Sequence, residues 1–255
     1  MDIFEKTIQE RTNRGYRISV VPVTASTNRD LREMAASGAP EGTILFARAQ
    51  TAGRGRLGRS FFSPEGSGLY LSILLRPKGA DILRITAAAG VAVARAVEEV
   101  LGLSLKIKWV NDLYYRNKKV CGILAEGAFD PKGGLSYCVL GIGLNAAAPK
   151  EGFGDLSSIA GALLEEIDEM RLGDLGAAIL NQFFALYEDL SAPSIMKEYQ
   201  SRSFLQGKEI LLMRGEERIR CRVFGLDDQG ALLAEDSLGQ RYAFSSGEVQ
   251  ILCFE

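Results

Sequence analysis

The chain has 255 residues, 47% of them hydrophobic and 24% charged, with a formal net charge of −2. That suits a large soluble domain plus a small one and argues against the clustered basic excess of a general nucleic-acid-binding surface. It contains no histidine, which removes Ser-His-Asp and Cys-His catalysis and leaves proton handling to Lys, Arg, Asp, Glu, Tyr or the substrate.

Residues 2–13 fit a short amphipathic helix, charged and without an apolar signal region, and no later apolar run approaches the length of a membrane span. The expected compartment is the cytoplasm, with no membrane partner. YRISVVPV (16–23) reads as a strand through its β-branched residues. Too little chain precedes it for a DNA-reading helix-turn-helix module, so no DNA partner is expected. In the polar turn Thr24–Asn28, Ser26 or Thr27 can cap a helix from about Arg29 to Ser37. Alternatively, the hydroxyls and the Asn28 amide at that helix start can face a polar ligand.

GTILFARAQ (42–50) reads as a strand running into QTAGRGRLGR (50–59), where Arg54, Arg56 and Arg59 alternate with Gly53, Gly55 and Gly58. Glycine lets backbone N–H groups approach a ligand, and arginine offers a planar fork of donors to carboxylate or phosphate oxygens, so this is an anion-binding loop. It also spells GxGxxG, but no helix opens within it and no acidic residue follows at the dinucleotide-binding spacing. The plain alternative is a solvated basic surface loop. LYLSILL (69–75) is a buried strand, and 81–101 is a helix whose apolar residues recur at i+4 steps among alanines that allow close packing.

LKIKWVNDLYYRNKKVCGILAEG (105–127) reads as short strands and turns that bring Lys108, Asn111, Asp112 and Lys119 to neighbouring strand ends. Asp112 is a candidate Mg²⁺ or phosphate-side carboxylate, or simply part of an Asn-Asp turn. Lys119 either snorkels outward or points into a pocket. In the strand LSYCVLGIGLN (135–145), Gly141 and Gly143 leave a face without side chains, which either weakens the strand or admits a flat ligand. Helices are expected at 157–169, 172–190 and 194–201. From Lys208 onward, five short strands separated by Gly, Asp and Ser turns predict a small β barrel or sandwich, with a domain boundary near Gln206. Cys121, Cys138, Cys221 and Cys253 lack zinc-site spacing and read as buried reduced thiols.

With these pieces in place, the chain resembles the biotin protein ligases. The matching segments are STN (26–28), QTAGRGRLGR (50–59), FSPEGSGLYLS (62–72), KWVNDL (108–113), KKVCGIL (118–124), GIGLN (141–145), and the terminal QGALL and GEV. GRGRxGR followed by KWxNDL is specific as a pair. Two departures stand out: Val110 replaces a common proline, and Phe61 a common tryptophan; neither removes a charged group, and the second offers adenine a smaller ring to stack on. The DNA-binding module of the family's bifunctional members is not matched, which counts against a ligand-sensing repressor.

The resemblance implies an α+β fold of the class II aminoacyl-tRNA synthetase/biotin synthetase type: a mixed, largely antiparallel sheet with helices mainly on one face, spanning residues 1–205. A small SH3-like β-barrel would occupy 206–255. It implies activation of biotin by ATP to biotinyl-5′-AMP, with Mg²⁺, and transfer to a lysine of a biotin carboxyl carrier domain. Ser26, Thr27, Asn28, Gln50, Arg54, Gly55, Arg56, Lys119, Gly122 and Gly141 would hold biotin. Arg56, Arg59, Phe61, Lys108, Asn111, Asp112, Lys119 and Asn145 would hold ATP and the adenylate. Arg54, Lys119 and Asp112 would act in catalysis, Asp112 also at the metal, and a homodimer is one arrangement the family allows. The alternatives are a lipoate ligase-like acyl-adenylate transferase and a non-catalytic biotin-binding protein.

Overall fold

The computed structural model describes residues 1–13, 15–77, 82–131 and 134–252. In chain order it runs α1 (Ile3–Arg11), β1 (Arg17–Thr24), α2 (Thr27–Ala36), β2 (Thr43–Gln50), β3 (Gly68–Leu75), α3 (Ile82–Leu101), β4 (Lys106–Lys108), β5 (Asp112–Tyr115), β6 (Lys118–Phe129) and β7 (Leu135–Asn145). Then follow α4 (Glu169–Tyr187), α5 (Pro193–Arg202), β8 (Glu209–Arg214), β9 (Glu217–Leu226), β10 (Leu232–Asp236), β11 (Arg241–Phe244) and β12 (Glu248–Ile251).

The first seven strands form one sheet in the order β1-β2-β3-β7-β6-β5-β4. Only the β1–β2 pair is parallel. Every residue of β3 is buried, because helices cover both faces at its position. One face carries Ile44, Phe46, Ile73 and Leu75 into the large core shared with α1, α3, α4 and α5; the other carries Leu45 and Leu74 against Leu31 and Ala35 of α2. The alternation of side chains along a strand divides them this way. α3 packs on the sheet and on α4 through a surface of alanines and valines, with Ala88, Ala89, Val93 and Val97 fully buried. Burying a Val side chain of this kind contributes about 1.5–3 kcal/mol.

The α+β architecture matches expectation, with α2, among the described helices, on the second face. The last five strands form an antiparallel sheet in the order β11-β10-β9-β8-β12. Its apolar residues Ile210, Leu212, Val223 and Leu232 join the same continuous core as the large sheet. Trp109 adds a polar tie, its indole N–H donating to the Gly230 carbonyl at 2.9 Å.

Two expectations need correction. α2 starts at Thr27, two residues before Arg29. Residues 157–168 form no α-helix; a 3₁₀ turn at Gly154–Leu156 leads into irregular chain, and α4 begins at Glu169. The segment instead lies along β6: Lys119 N donates to Ile159 O at 2.8 Å, Gly161 N donates to Lys119 O at 2.9 Å, and Lys118 Nζ reaches the Ser157 and Ser158 carbonyls. Backbone groups satisfied across a sheet edge have no need of helical partners. Cys121, Cys138 and Cys221 are buried free thiols, whereas Cys253 and the start of the predicted 81–101 helix lie outside the described residues.

Candidate active site

A cavity of about 770 Å³ opens over the sheet between α2, the arginine loop, the β4–β6 strand ends and β12. Its neutral end is built at the start of α2. Ser26 is the N-cap residue, yet its side chain makes no capping bond and is 3% exposed; the capping explanation for this turn therefore fails for Ser26. Gln50, at the end of β2, accepts from Thr27 N at 2.9 Å and Thr27 Oγ1 at 3.2 Å, and donates to Ser63 Oγ at 3.0 Å. Ser72 Oγ on β3 lies 2.7 Å from Thr27 Oγ1 and 2.6 Å from Asn28 Oδ1, and its one proton serves either acceptor.

The glycine face of β7 is filled by protein. A Cβ on Gly141 would lie 2.1 Å from Asn28 Oδ1, and one on Gly143 would lie 2.5 Å from the Phe61 ring. The missing side chains thus make room for Asn28 and Phe61. Gly122 on β6 likewise borders Phe61 at 3.2 Å and the Lys119 side chain at 3.4 Å.

The charged end comes from short strands. Lys108 and Asp112 are cross-strand partners in β4–β5, and Gly122 lies opposite Asp112 on β6. Lys119 Nζ is 2.7 Å from Asp112 Oδ1, but that buried oxygen has no well-directed hydrogen bond. The contact is a Coulombic pair, and Asp112 keeps acceptor capacity. Burial holds the Lys108 ammonium below the ordinary lysine pKa despite the nearby Asp112 carboxylate. Burial also lowers the Arg56 guanidinium, with Asp112 and Glu248 opposing. Tyr114, beneath Lys108, is pushed up to about 12 by burial and then by Asp112. These cations lie partly desolvated, where an anionic ligand gains more than it would in water.

The arginine loop is fastened at its base by Phe61 N to Gly53 O at 2.8 Å and within by Gly55 N to Arg59 O at 2.7 Å. Its tip holds Leu57, 76% exposed, at a φ of 55°. Arg56 donates to Asn111 Oδ1 at 3.1 Å and to the Gly247 carbonyl at 3.2 Å. Asn111 is itself fixed by donating to Ile123 O at 2.9 Å. Arg59 pairs with Glu248, Nη2 to Oε2 being 2.7 Å, and Arg54 Nη1 is 3.4 Å from Glu126 Oε1.

A model of the biotin/lipoate A/B protein ligase family matches residues 20–145. The Biotin--[acetyl-CoA-carboxylase] ligase of Mycobacterium tuberculosis is 32% identical over 245 residues, covering 92% of this chain and 89% of that protein. The Bifunctional ligase/repressor BirA of Bacillus subtilis is 31% identical over 249 residues, covering 91% of this chain and 73% of that protein.

The chain belongs to the biotin protein ligases. Among solved structures, the biotin protein ligase of Aquifex aeolicus in complex with biotin and ATP superposes with a TM-score of 0.75 at 28% identity, covering 92% of this chain and 98% of that one.

The ligase cavity gathers Ser26, Thr27, Asn28, Gln50, Arg54, Gly55, Arg56, Arg59, Phe61, Lys108, Asn111, Asp112, Lys119, Gly122 and Gly141. Asn145 is not among its lining residues; its side-chain amide donates to Gly161 O at 3.0 Å and holds the chain that runs along β6. Sequence reasoning missed Glu126 and the Gly247–Ile251 wall. Glu126 ends the GILAE run in an ordinary strand context and carried no local signal of function; the wall's GEV (247–249) matched the family pattern, but β12 lies far along the chain and nothing local placed it at the cavity.

For a divalent cation the cavity offers two carboxylates, Asp112 with its unsatisfied oxygen and Glu248, which is paired with Arg59. Among the described residues no three His, Cys, Asp or Glu side chains converge. That donor set fits Mg²⁺, which takes one or two carboxylates and completes its shell with phosphates and water, better than a cation needing an all-protein cage. No described helix is long and apolar enough to cross a membrane.

Proposed function

We propose that this biotin protein ligase joins biotin to ATP and passes it to a lysine of a biotin carboxyl carrier domain of acetyl-CoA carboxylase. The observation that carries the reading is the two-ended cavity: neutral hydrogen-bonding groups at one end, half-buried cations at the other, and the arginine loop over both. In the first step a biotin carboxylate oxygen attacks the α-phosphorus of ATP, the bond to the β-phosphate oxygen breaks, and pyrophosphate leaves. In the second, the carrier lysine amine attacks the acyl carbon, AMP leaves with the bonding electrons, and the amine proton is released.

The placement of each residue supports a task for it. Ser26, Thr27 and Gln50 present hydroxyls and an amide to the polar ring of biotin, and Asn28 fixes their floor. Lys119 and Arg54 face the point where carboxylate and phosphate meet and offset their repulsion. Arg56, Arg59, Lys108 and Asn111 face the triphosphate, and Phe61 borders adenine. Asp112 would hold Mg²⁺, whose chemistry when bound is to neutralise phosphate charge. Asp112 also orients the acceptor amine. Gly55 lets the loop close and keep water from the adenylate.

Residues 1–205 serve as the catalytic domain and 206–255 as a small domain whose β12 walls the nucleotide end. The chain acts in the cytoplasm, without DNA, and a homodimer is compatible with this site. Biotin-dependent exchange of radiolabelled pyrophosphate into ATP, together with labelling of a purified carrier domain, tests the reading. Exchange with lipoate but not biotin would move the substrate; no exchange with either would reduce the protein to a binder.

A further inference from the structure

Glu126 stands on β6, 18% exposed at its side chain, and gathers groups from two separate segments, α2 and the arginine loop. Its Oε2 accepts from Asn28 Nδ2 at 2.9 Å. Its Oε1 lies 3.4 Å from Arg54 Nη1 of the arginine loop and accepts from Arg32 Nη1, one turn beyond Asn28 on α2, at 3.4 Å. The Arg54 side chain is 45% exposed, and Glu126 is the acidic partner recorded for it. The rest of the loop is held elsewhere: Arg56 and Arg59 by the Gly247–Glu248 segment.

We infer that Glu126 is a positioning residue that holds Arg54, and with it the near half of the arginine loop, over the cavity before ligand arrives. The inference rests on the site reading above. The carboxylate is placed for two different tasks. Toward Asn28 it is a short acceptor that an amide oxygen can replace. Toward Arg54 it is a long, half-exposed Coulombic contact, weak enough for an arriving carboxylate or phosphate to displace. Arg32 competes for the same oxygen, so it weakens the hold on Arg54. The two arginines therefore have opposite signs of effect.

Glu126→Gln separates the tasks, since its amide oxygen can still accept from Asn28 while the charge is gone. Limited trypsin digestion of the ligand-free protein, with cuts after Arg54, Arg56 and Arg59 followed by mass spectrometry, reads the loop without requiring activity. E126Q should raise these cut rates about fivefold, as expected for losing an exposed ion pair, with an unchanged melting temperature. Arg32→Ala should leave them unchanged or slow them. In an Arg54→Gln background, E126Q should add nothing to the Arg56 and Arg59 rates, the signature of action through Arg54. Equal cutting in E126Q and the parent, faster loop cutting in R32A, or full additivity with R54Q would each overturn the inference. Failure of the parent protein to exchange pyrophosphate would overturn the ligase reading and leave the loop result standing.

Discussion

The two ends of the cavity are built on opposite principles. At the α2 end, Ser26, Thr27, Asn28, Gln50 and Ser72 are neutral and mostly buried; Asn28 is saturated by neighbours, and Gln50 is held by Thr27 and Ser63 while keeping donor capacity toward the cavity. At the β4–β6 end, Lys108, Asp112 and Lys119 are charged and partly exposed, and Asp112 Oδ1 lacks a directed hydrogen bond. A satisfied neutral network fixes shape, which suits recognition of one small molecule. An incompletely satisfied charged cluster keeps interaction in reserve for charge that develops during reaction. Selectivity and rate are thus assigned to different ends of one cavity.

The largest effect should come from the charged end. Lys119→Ala removes the cation nearest Asp112 and should slow pyrophosphate exchange about a thousandfold, within the range for losing a preorganised electrostatic group. Exchange within a few-fold of the parent would relocate the chemistry away from that end.

At the neutral end, Gly141→Ala drives a Cβ into Asn28 Oδ1, which must leave Ser72. A stability loss of about 1–3 kcal/mol is expected. Calorimetry reads that loss, and titration should show biotin binding weakened by much more than ATP binding. Equal weakening of both would mean the ends are one unit.

The smallest effect sharpens the contrast through pH. Because burial lowers the Lys108 pKa below the ordinary 10.5, this ammonium loses its proton earlier than a free lysine as pH rises. Between its folded and unfolded pKa values the unfolded chain binds more protons, so deprotonation favours folding while stripping a cation from the nucleotide end. The KM for ATP should therefore rise with pH below the usual lysine range without a matching loss of melting temperature from this group. Lys108→Arg keeps its charge and should move that limb upward. Superimposable profiles would assign the limb to another group.

The sequence alone determined the strands, the alanine-rich α3 and the grouping of arginines with glycines in 50–59. Periodicity and turn chemistry are local and survive tertiary packing wherever, as in β3 and α3, they agree with it. The resemblance carried by GRGRxGR and KWxNDL supplied the reaction. What only the tertiary structure decided is long-range: β12 lying against Arg56 and Arg59, Glu126 reaching both Asn28 and Arg54, the glycines of β7 yielding space to Asn28 and Phe61, and residues 157–161 lying along β6. A side chain's partner across a sheet or between two sheets depends on strand order and register, and no local window of sequence records either.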